Sequence, residues 1–145
     1  MATKPDAPTL WLALMRAHSA VDKAARESIR HTGLCYTDFA ILESLLHRGP
    51  LPVNAIATDI HLTSGSMTSA VDRLVSHGLV TRAENPADKR SRLVQLTDEG
   101  RALIEGSYAR HAADLRHVVD GALTAEERSQ LFALLRKLER TARGV

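Results

Sequence analysis

The segment Leu62–Gly100 constrains the fold of this chain more than any other, because a helical pattern of residues is followed there by two alternating ones. On a helical wheel at about 100° per residue, the aliphatic side chains of the helical part fall on one side, namely Met67, Ala70, Val71 and Leu74. Alternation over Leu79–Arg82 and Leu93–Leu96 is typical of strands, and a turn with Pro and Asp joins them. We therefore predict a helix followed by a two-stranded ribbon.

The outer side of this helix carries short polar side chains instead of the Glu and Lys that favour a solvated helix. The wheel places there Gly65, Thr68, Ser69, Asp72 and Ser76, with Ser66 and Arg73 at the margins. Short hydroxyl side chains let a backbone approach a groove of DNA closely and hydrogen-bond phosphates or base edges. A serine- and threonine-rich surface helix with an N-cap is the alternative interpretation.

The turn of the predicted ribbon, Asn85–Arg92, is basic. The basic residues lie near its tip, where side chains do not pack into a core; they are Lys89, Arg90 and Arg92. Asp88 lies two residues before Arg90 and can fix its guanidinium before DNA arrives, which suits insertion into a narrow minor groove. A basic turn alone is most simply a solvated loop, but the helix and the ribbon together predict a DNA-binding protein.

Length and composition fit one globular domain. A chain of 145 residues is long enough to bury one core but not two. The net charge of +2 is weak evidence for nucleic-acid binding, so the positions of the charges decide. Cys35 is the one cysteine, which favours a reducing compartment. The six apolar residues of Leu10–Met15 are too few for a signal sequence or a membrane span. We expect a cytoplasmic protein with no membrane partner.

Periodicity and capping residues predict six helices around the ribbon, in the order α-α-α-α-β-β-α-α. A loose arm covers residues 1–8. The first expected helix extends from its N-cap Thr9 to His31 and is stopped by Gly33, the second extends from after Thr37 to Arg48, and the third begins at Pro52 and covers Ala55–Ile60. The fourth extends from its cap Thr63 to His77, and the fifth from its cap Thr97 to about Val119, where Gly121 interrupts it. The sixth begins with a capping box at Thr124–Glu127.

The stretch Leu34–Leu103 resembles the winged helix-turn-helix of the MarR family of bacterial transcription regulators. The resemblance lies in Thr63–Thr68 at the start of a recognition helix, Asp72–Leu74 with Gly78–Val80, the wing signature Asn85–Arg90, and Leu96–Gly100 before a long helix. It implies a mainly α fold with a small β-ribbon, in a single MarR-like domain over residues 1–145. A winged helix-turn-helix at 34–97 is then flanked by dimerisation helices at 9–32 and 98–143.

The resemblance also implies which residues meet DNA. Hydroxyl groups of the recognition helix would face the major groove or its phosphates, namely those of Thr63, Ser64, Ser66, Thr68 and Ser69. Arg73 would contact a phosphate or a base edge, and Arg90, steadied by Asp88, would enter the minor groove. Many relatives carry Arg or Asn where Ser64, Ser66 or Ser69 stand, so we expect shape readout to weigh more in this chain.

Apolar stripes on the terminal helices imply a partner surface. They comprise Leu10, Trp11 and Leu14 at one end and Leu131, Leu134, Leu135 and Leu138 at the other. Part of each stripe is expected to pack within one monomer. MarR-like proteins pair these helices in a two-fold dimer, which would set two recognition helices about 34–36 Å apart. The expected partners are therefore a second copy of the chain and double-stranded DNA with a palindromic operator.

The family resemblance further implies a small-molecule effector, often an aromatic or phenolic anion, bound between the dimerisation helices and the DNA-binding lobe. The candidates for lining such a pocket are Trp11, Met15, His18, Tyr36 and Phe39. Ordinary core packing is the alternative for each of them. The expected function is a dimeric, sequence-specific repressor that a small ligand releases from DNA.

Two other functions stay open at this point. Cys35 precedes a helix and would suit a redox-sensing regulator, whose DNA binding would respond to peroxide; OhrR-like members, however, carry the reactive cysteine early in the first helix. A helical protein-binding adaptor would explain the apolar stripes but not the basic turn. We predict no enzyme, because no catalytic motif is present. We also predict no cofactor and no metal, since the seven histidines lack the spacing of metal ligands.

Overall fold

The computed structural model describes residues 4–60 and 63–144, and it is mostly helical with a small antiparallel sheet. The helices are α1 (Ala7–Ile29), α2 (Tyr36–Arg48), α3 (Val53–Asp59), α4 (Ser64–Ser76), α5 (Asp98–Ala122) and α6 (Ala125–Arg143), and the strands are β1 (Leu51–Pro52), β2 (Val80–Glu84) and β3 (Arg92–Leu96). A 3-10 turn at Arg30–Thr32 follows α1. The predicted fold class is confirmed.

The chain divides into two compact units. The central unit, Ala25–His111, contains the end of α1, the helices α2 to α4, the sheet and the first part of α5. The terminal-helix unit comprises the described residues of Met1–Ala24 and Ala112–Val145. Of the described helices, none reaches the combination of length and apolarity that crossing a bilayer requires.

The first helix begins earlier than the sequence suggested. Asp6 is the capping residue, because its Oδ1 accepts a hydrogen bond from the Thr9 N–H at 3.0 Å. Hydrogen bonds from the side chain of Thr9 and then from its backbone lower the pKa of Asp6. The prediction of Thr9 as N-cap was therefore wrong: Asp6 takes that role, and Pro8 fits within the first turn, where its missing N–H costs nothing.

Four other predictions concern helix boundaries, and their outcomes are mixed. Gly33 follows the 3-10 turn after α1 with φ +71°, a left-handed conformation that glycine adopts without strain. The caps at Thr97 and Thr124 are confirmed, since their hydroxyls accept from the Gly100 N–H at 3.0 Å and the Glu127 N–H at 3.2 Å. The interruption at Gly121 was wrong: α5 continues to Ala122, because one glycine costs a helix only about 1 kcal/mol.

The sheet has three strands, in the order β1-β3-β2, instead of the two expected. In the β2–β3 pair, Val80 lies opposite Leu96 and Glu84 opposite Arg92. The additional strand β1 places Leu51 opposite Val94. Two residues are too few to show an alternating pattern, and Pro52 is tolerated there because β1 lies at an edge of the sheet.

The core of the central unit forms between α2, α4 and the sheet. The predicted inner side of α4 is confirmed, since Met67, Ala70, Val71 and Leu74 are all buried. They pack in one cluster with aliphatic residues from every neighbouring element, including Ile41, Leu42 and Leu45 of α2, Ile56 of α3, and Val80 and Val94 of the sheet. Each fully buried aliphatic side chain contributes about 1.5–3 kcal/mol, so this packing fixes α4 in place.

One helical glycine allows a close backbone approach. A Cβ added to Gly100 would lie 1.9 Å from the Leu79 carbonyl oxygen, a distance that no side chain can occupy. Two hydrogen bonds hold the same region together. The Thr97 N–H donates to Leu79 O, and the Thr97 hydroxyl donates to Gly78 O. The start of α5 is therefore held directly against the backbone that leads into β2.

Replacing Gly100 with Ala is expected to lower the free energy of unfolding by about 1–3 kcal/mol, because the backbones of α5 and Leu79 must separate. Gly106 provides the matched control: it lies in the same helix, and its added Cβ would meet open space. Gly106→Ala should stabilise the protein by up to about 1 kcal/mol through helix propensity. Urea denaturation checks both variants, and equal effects would contradict the close approach.

Candidate nucleic-acid interface

The helix-turn-helix consists of α3 and α4, which pack against each other within the central unit. The side of α4 opposite the core is exposed, and we call it the hydroxyl face; its described members are Thr63, Ser66, Thr68 and Ser69. The Thr63 hydroxyl donates to Ser66 Oγ at 3.1 Å. Ser64 begins α4, but its side chain lies outside the described residues, as does Leu62, so its DNA contact stays a prediction.

The hydroxyl face suits a close approach to another molecule. Gly65 is exposed there, and a Cβ at this position would meet open space in the described part of the chain. No long side chain rises from the described residues between Thr63 and Ser69 on this side. The backbone of α4 can therefore approach a groove to within the reach of a hydroxyl group.

The wing is formed by β2, β3 and the turn Asn85–Ser91 between them. Asp88 Oδ1 accepts from the Arg90 N–H at 3.0 Å and lies 3.4 Å from Arg90 Nε. The carboxylate thus holds the backbone of the turn more firmly than the guanidinium. Asn85 adds two hydrogen bonds, accepting from the Ala87 N–H at 3.0 Å and donating to Ser91 Oγ at 2.7 Å.

The basic side chains of the wing face solvent. The Arg90 side chain is 94% exposed, more than any other cation among the described ion pairs. Lys89 and Arg92 are also exposed, and both line an open cleft of about 540 Å³ together with Glu84, Asn85, Pro86 and Ser91. Arg92 additionally borders a second cleft next to Pro52–Asn54 at the start of α3. The wing therefore offers three cations to a polyanion.

Arg73 is held by a residue that the sequence analysis missed. Its Nε donates to Asp38 Oδ2 at 2.9 Å and its Nη2 to Asp38 Oδ1 at 2.5 Å, a bidentate pair with a buried carboxylate. The hydrogen bond with Asp38, and then the charge of the same carboxylate, raises the pKa of Arg73. The contact of Arg73 with a phosphate or a base edge stays a prediction, and two of its nitrogens already bind Asp38.

Another ion pair, between Arg82 and Asp72, joins the wing to α4. Arg82 Nη2 of β2 donates to Asp72 Oδ1 at 2.7 Å. Asp72 lies on the outer side of α4, where an unpaired carboxylate would repel DNA phosphates. The pair neutralises that charge and connects the helix to the wing.

The five candidate pocket residues fall in different parts of the molecule. Trp11, Met15 and His18 are exposed on α1, in the terminal-helix unit. Phe39 is fully buried in the core of the central unit, where its ring contacts His111 edge-on at 5.0 Å. Tyr36 is half-buried beneath the Arg26 guanidinium, 4.5 Å from its ring centre. It lines an open cleft of about 400 Å³ with polar residues that include Ser44, His47 and Arg48.

Two further polar groups of the central unit were not singled out from the sequence. Ser28 and His111 are buried, and Ser28 Oγ lies 2.6 Å from His111 Nδ1 while donating to the Ala25 carbonyl at 2.7 Å.

Cys35 is exposed, and its Sγ accepts from Arg73 Nη2 at 3.8 Å. Among the described residues, no group of three or more His, Cys, Asp or Glu side chains is placed to hold a metal ion.

A helix-turn-helix with a basic wing defines the class of protein: a winged helix-turn-helix DNA-binding transcription regulator, not an enzyme. The MarR family model matches residues 34–91, which extend from the residue before Cys35 through the turn of the wing. The regulator MhqR of Bacillus subtilis is 33% identical over 129 residues, covering 89% of this chain and 88% of MhqR. The chain belongs to the MarR family.

Solved structures agree with this assignment. A mutant of E. coli MarR complexed with operator DNA is 29% identical, with a TM-score of 0.76, and the match covers 92% of this chain and 99% of that one. Bordetella bronchiseptica BpsR, whose DNA binding is regulated by 6-hydroxynicotinic acid, is 26% identical with a TM-score of 0.78, and the match covers 90% and 98%. Structures with this fold therefore include one complexed with operator DNA and one whose DNA binding a small molecule regulates.

Proposed function

We propose that this chain is a dimeric repressor in the cytoplasm that binds a palindromic operator and is released by a small aromatic or phenolic anion. The observation that carries the proposal is the combination, in one compact unit, of the hydroxyl face of α4 with a wing whose Arg90 is 94% exposed. The hydroxyl face suits the major groove and the wing suits a neighbouring minor groove.

The proposed specificity is modest at each half-site. The described side chains of the hydroxyl face are short, and each can donate only a single hydrogen bond. Phosphate contacts position the protein but carry no sequence information. Base discrimination at one half-site is therefore limited, and binding to two half-sites at once provides the remaining specificity.

Replacing Arg90 with Ala is expected to weaken operator binding by about 1–3 kcal/mol without changing the fold, because Arg90 lies on the exposed tip of the wing. The operator would first be located by footprinting on the DNA that flanks the gene, and affinity then measured by fluorescence anisotropy over a salt series. Wild-type affinity should fall steeply as salt rises.

Arg116→Ala serves as the control for Arg90→Ala. Arg116 is an exposed cation of α5 that belongs to the terminal-helix unit and not to the wing, so its loss removes the same charge from a different element. Its operator affinity should match that of the wild type. Equal affinities for all three proteins would show that Arg90 makes no DNA contact, and a flat salt dependence would contradict DNA binding itself.

The proposed dimer rests on exposed apolar residues of the terminal-helix unit. Large apolar side chains stand in solvent on two of its helices, namely Leu10, Trp11, Leu12 and Met15 on α1 and Leu131, Phe132, Leu134, Leu135 and Leu138 on α6. An exposed apolar patch of this kind on a helix marks an interface between proteins. A second copy with two-fold symmetry would cover the patch and present two recognition helices about 34–36 Å apart.

Replacing Leu134 and Leu138 together with Glu is expected to produce monomers, because two charges on an apolar interface carry a desolvation cost of several kcal/mol. Light scattering after gel filtration measures the mass, and circular dichroism verifies the helix content. Ala133→Glu adds a charge on the side of the same helix away from Leu134 and Leu138 and should leave a dimer. A folded dimer of the double variant would refute this interface.

The proposed effector is supported by two observations. BpsR, a structural neighbour with the same fold, has its DNA binding regulated by 6-hydroxynicotinic acid, an aromatic acid. In this chain, the cleft of about 400 Å³ next to Tyr36 combines an aromatic ring with two groups that bind a carboxylate, Arg48 and Ser44. Both already bind Asp59, and Glu43 also lines the cleft. An anion that enters there competes with the Arg48–Asp59 ion pair at one end of the helix-turn-helix.

Small aromatic acids, including 6-hydroxynicotinate, are expected to weaken operator binding at least about tenfold, which corresponds to a coupling of about 1.4 kcal/mol. Cyclohexanecarboxylate, an anion without an aromatic ring, should have no effect. Tyr36→Leu should remove the response and leave the affinity for DNA unchanged. If every acid left the affinity unchanged, the effector part of the proposal would be wrong while DNA binding still stood.

A further inference from the structure

Asp38 is a carboxylate in the buried interior of the central unit. It lies in the first turn of α2, and only 3% of the residue is exposed. A carboxylate in such a position is costly unless it is paired and hydrogen-bonded. Its partner is Arg73, which belongs to α4, the helix that carries the hydroxyl face. The pair therefore connects the DNA-recognition helix to the helix behind it.

The geometry of the pair fixes the direction of the guanidinium. Two parallel hydrogen bonds, Nε to Oδ2 at 2.9 Å and Nη2 to Oδ1 at 2.5 Å, hold the planar group at two points. The Arg73 side chain is nevertheless 44% exposed, so its other edge faces solvent. Within the described residues, Nη1 has no hydrogen bond with the protein and stays available as a donor.

Helical spacing places that donor next to the hydroxyl face. Arg73 follows Ser69 by four residues and Ser66 by seven, and residues at these intervals lie on the same side of a helix. When the hydroxyl face lies in a major groove, the guanidinium at the end of this row reaches the sugar–phosphate backbone at the edge of the groove. A phosphate oxygen accepts hydrogen bonds from an arginine with good geometry.

We propose that Asp38 is a positioning residue for DNA recognition, which holds Arg73 so that Nη1 binds one phosphate oxygen and thereby sets how α4 sits in the groove. The inference rests on the proposed DNA-binding function and extends it to a residue outside the helix-turn-helix and the wing. Because the contact is fixed in advance, Arg73 loses little conformational entropy on binding. A phosphate contact in a fixed position favours the correct register over other registers of the same duplex.

The test compares the affinity for the operator with the affinity for a scrambled duplex of equal length, over a salt series. Asp38→Asn keeps the shape of the side chain and removes its charge, and the ratio of the two affinities is expected to fall about tenfold. Asp114→Asn is the charge-matched control, since Asp114 is exposed on α5 in the terminal-helix unit. It should leave the ratio unchanged.

A double-mutant cycle separates positioning from stability. In the wild type, Arg73→Ala is expected to lower operator affinity about tenfold and the slope of log affinity against log salt by about one. In the Asp38→Asn background, the same replacement should lower affinity less than about twofold, because Arg73 is no longer held. Thermal unfolding of each variant is measured in parallel, since a purely structural role would change unfolding and leave the affinity ratio at its wild-type value.

Arg73→Lys keeps the inference testable if Asp38→Asn does not fold. Lys retains the charge that compensates Asp38 but lacks the two-point geometry of a guanidinium. We expect the salt slope to be retained and the affinity ratio to fall about fivefold. A wild-type ratio in Asp38→Asn or Arg73→Lys, or an equal cost of Arg73→Ala in both backgrounds, overturns the inference. If the wild type binds no duplex, the proposed function fails first and the inference with it.

Discussion

The burial of the aliphatic side of α4 is the interaction on which the rest of the structure depends. Met67, Val71 and Leu74 are fully buried, and they pack in one cluster with residues of α2 and of the sheet. Because these residues alternate with the hydroxyl face at helical spacing, burying one side necessarily presents the other to solvent. The same free energy that folds the central unit therefore determines which residues are offered to DNA.

Polar contacts then refine what the core has positioned. Asp38 holds Arg73 beside the hydroxyl face, and Arg82 joins β2 to Asp72 of α4. Neither pair is a major source of stability, since an exposed ion pair contributes about 0–1 kcal/mol and a buried one repays its desolvation only in part. Their effect is geometric: they reduce the freedom of α4 and of the wing relative to the core that both share.

The features that the sequence predicted correctly are those decided by neighbouring residues. The inner side of α4 and the caps at Thr97 and Thr124 each depend on a few positions along one helix. The features that it did not predict depend on distant or very short partners. Asp38 meets Arg73 across 35 positions of the chain, and β1 is two residues long. Asp6 displaced Thr9 as a cap because both can fill that role and the sequence pattern does not rank them.

The missing side chain at Gly100 has a mechanical consequence. Side chains between two elements act as a deformable layer that can absorb a small shift, but α5 touches the backbone at Leu79 with no such layer between them. In the same region, the Thr97 hydroxyl donates a hydrogen bond to Gly78 O at 2.7 Å. The first turn of α5 and the base of the wing consequently form a stiff joint. A rotation of that turn would therefore act on the start of β2 through backbone contact alone.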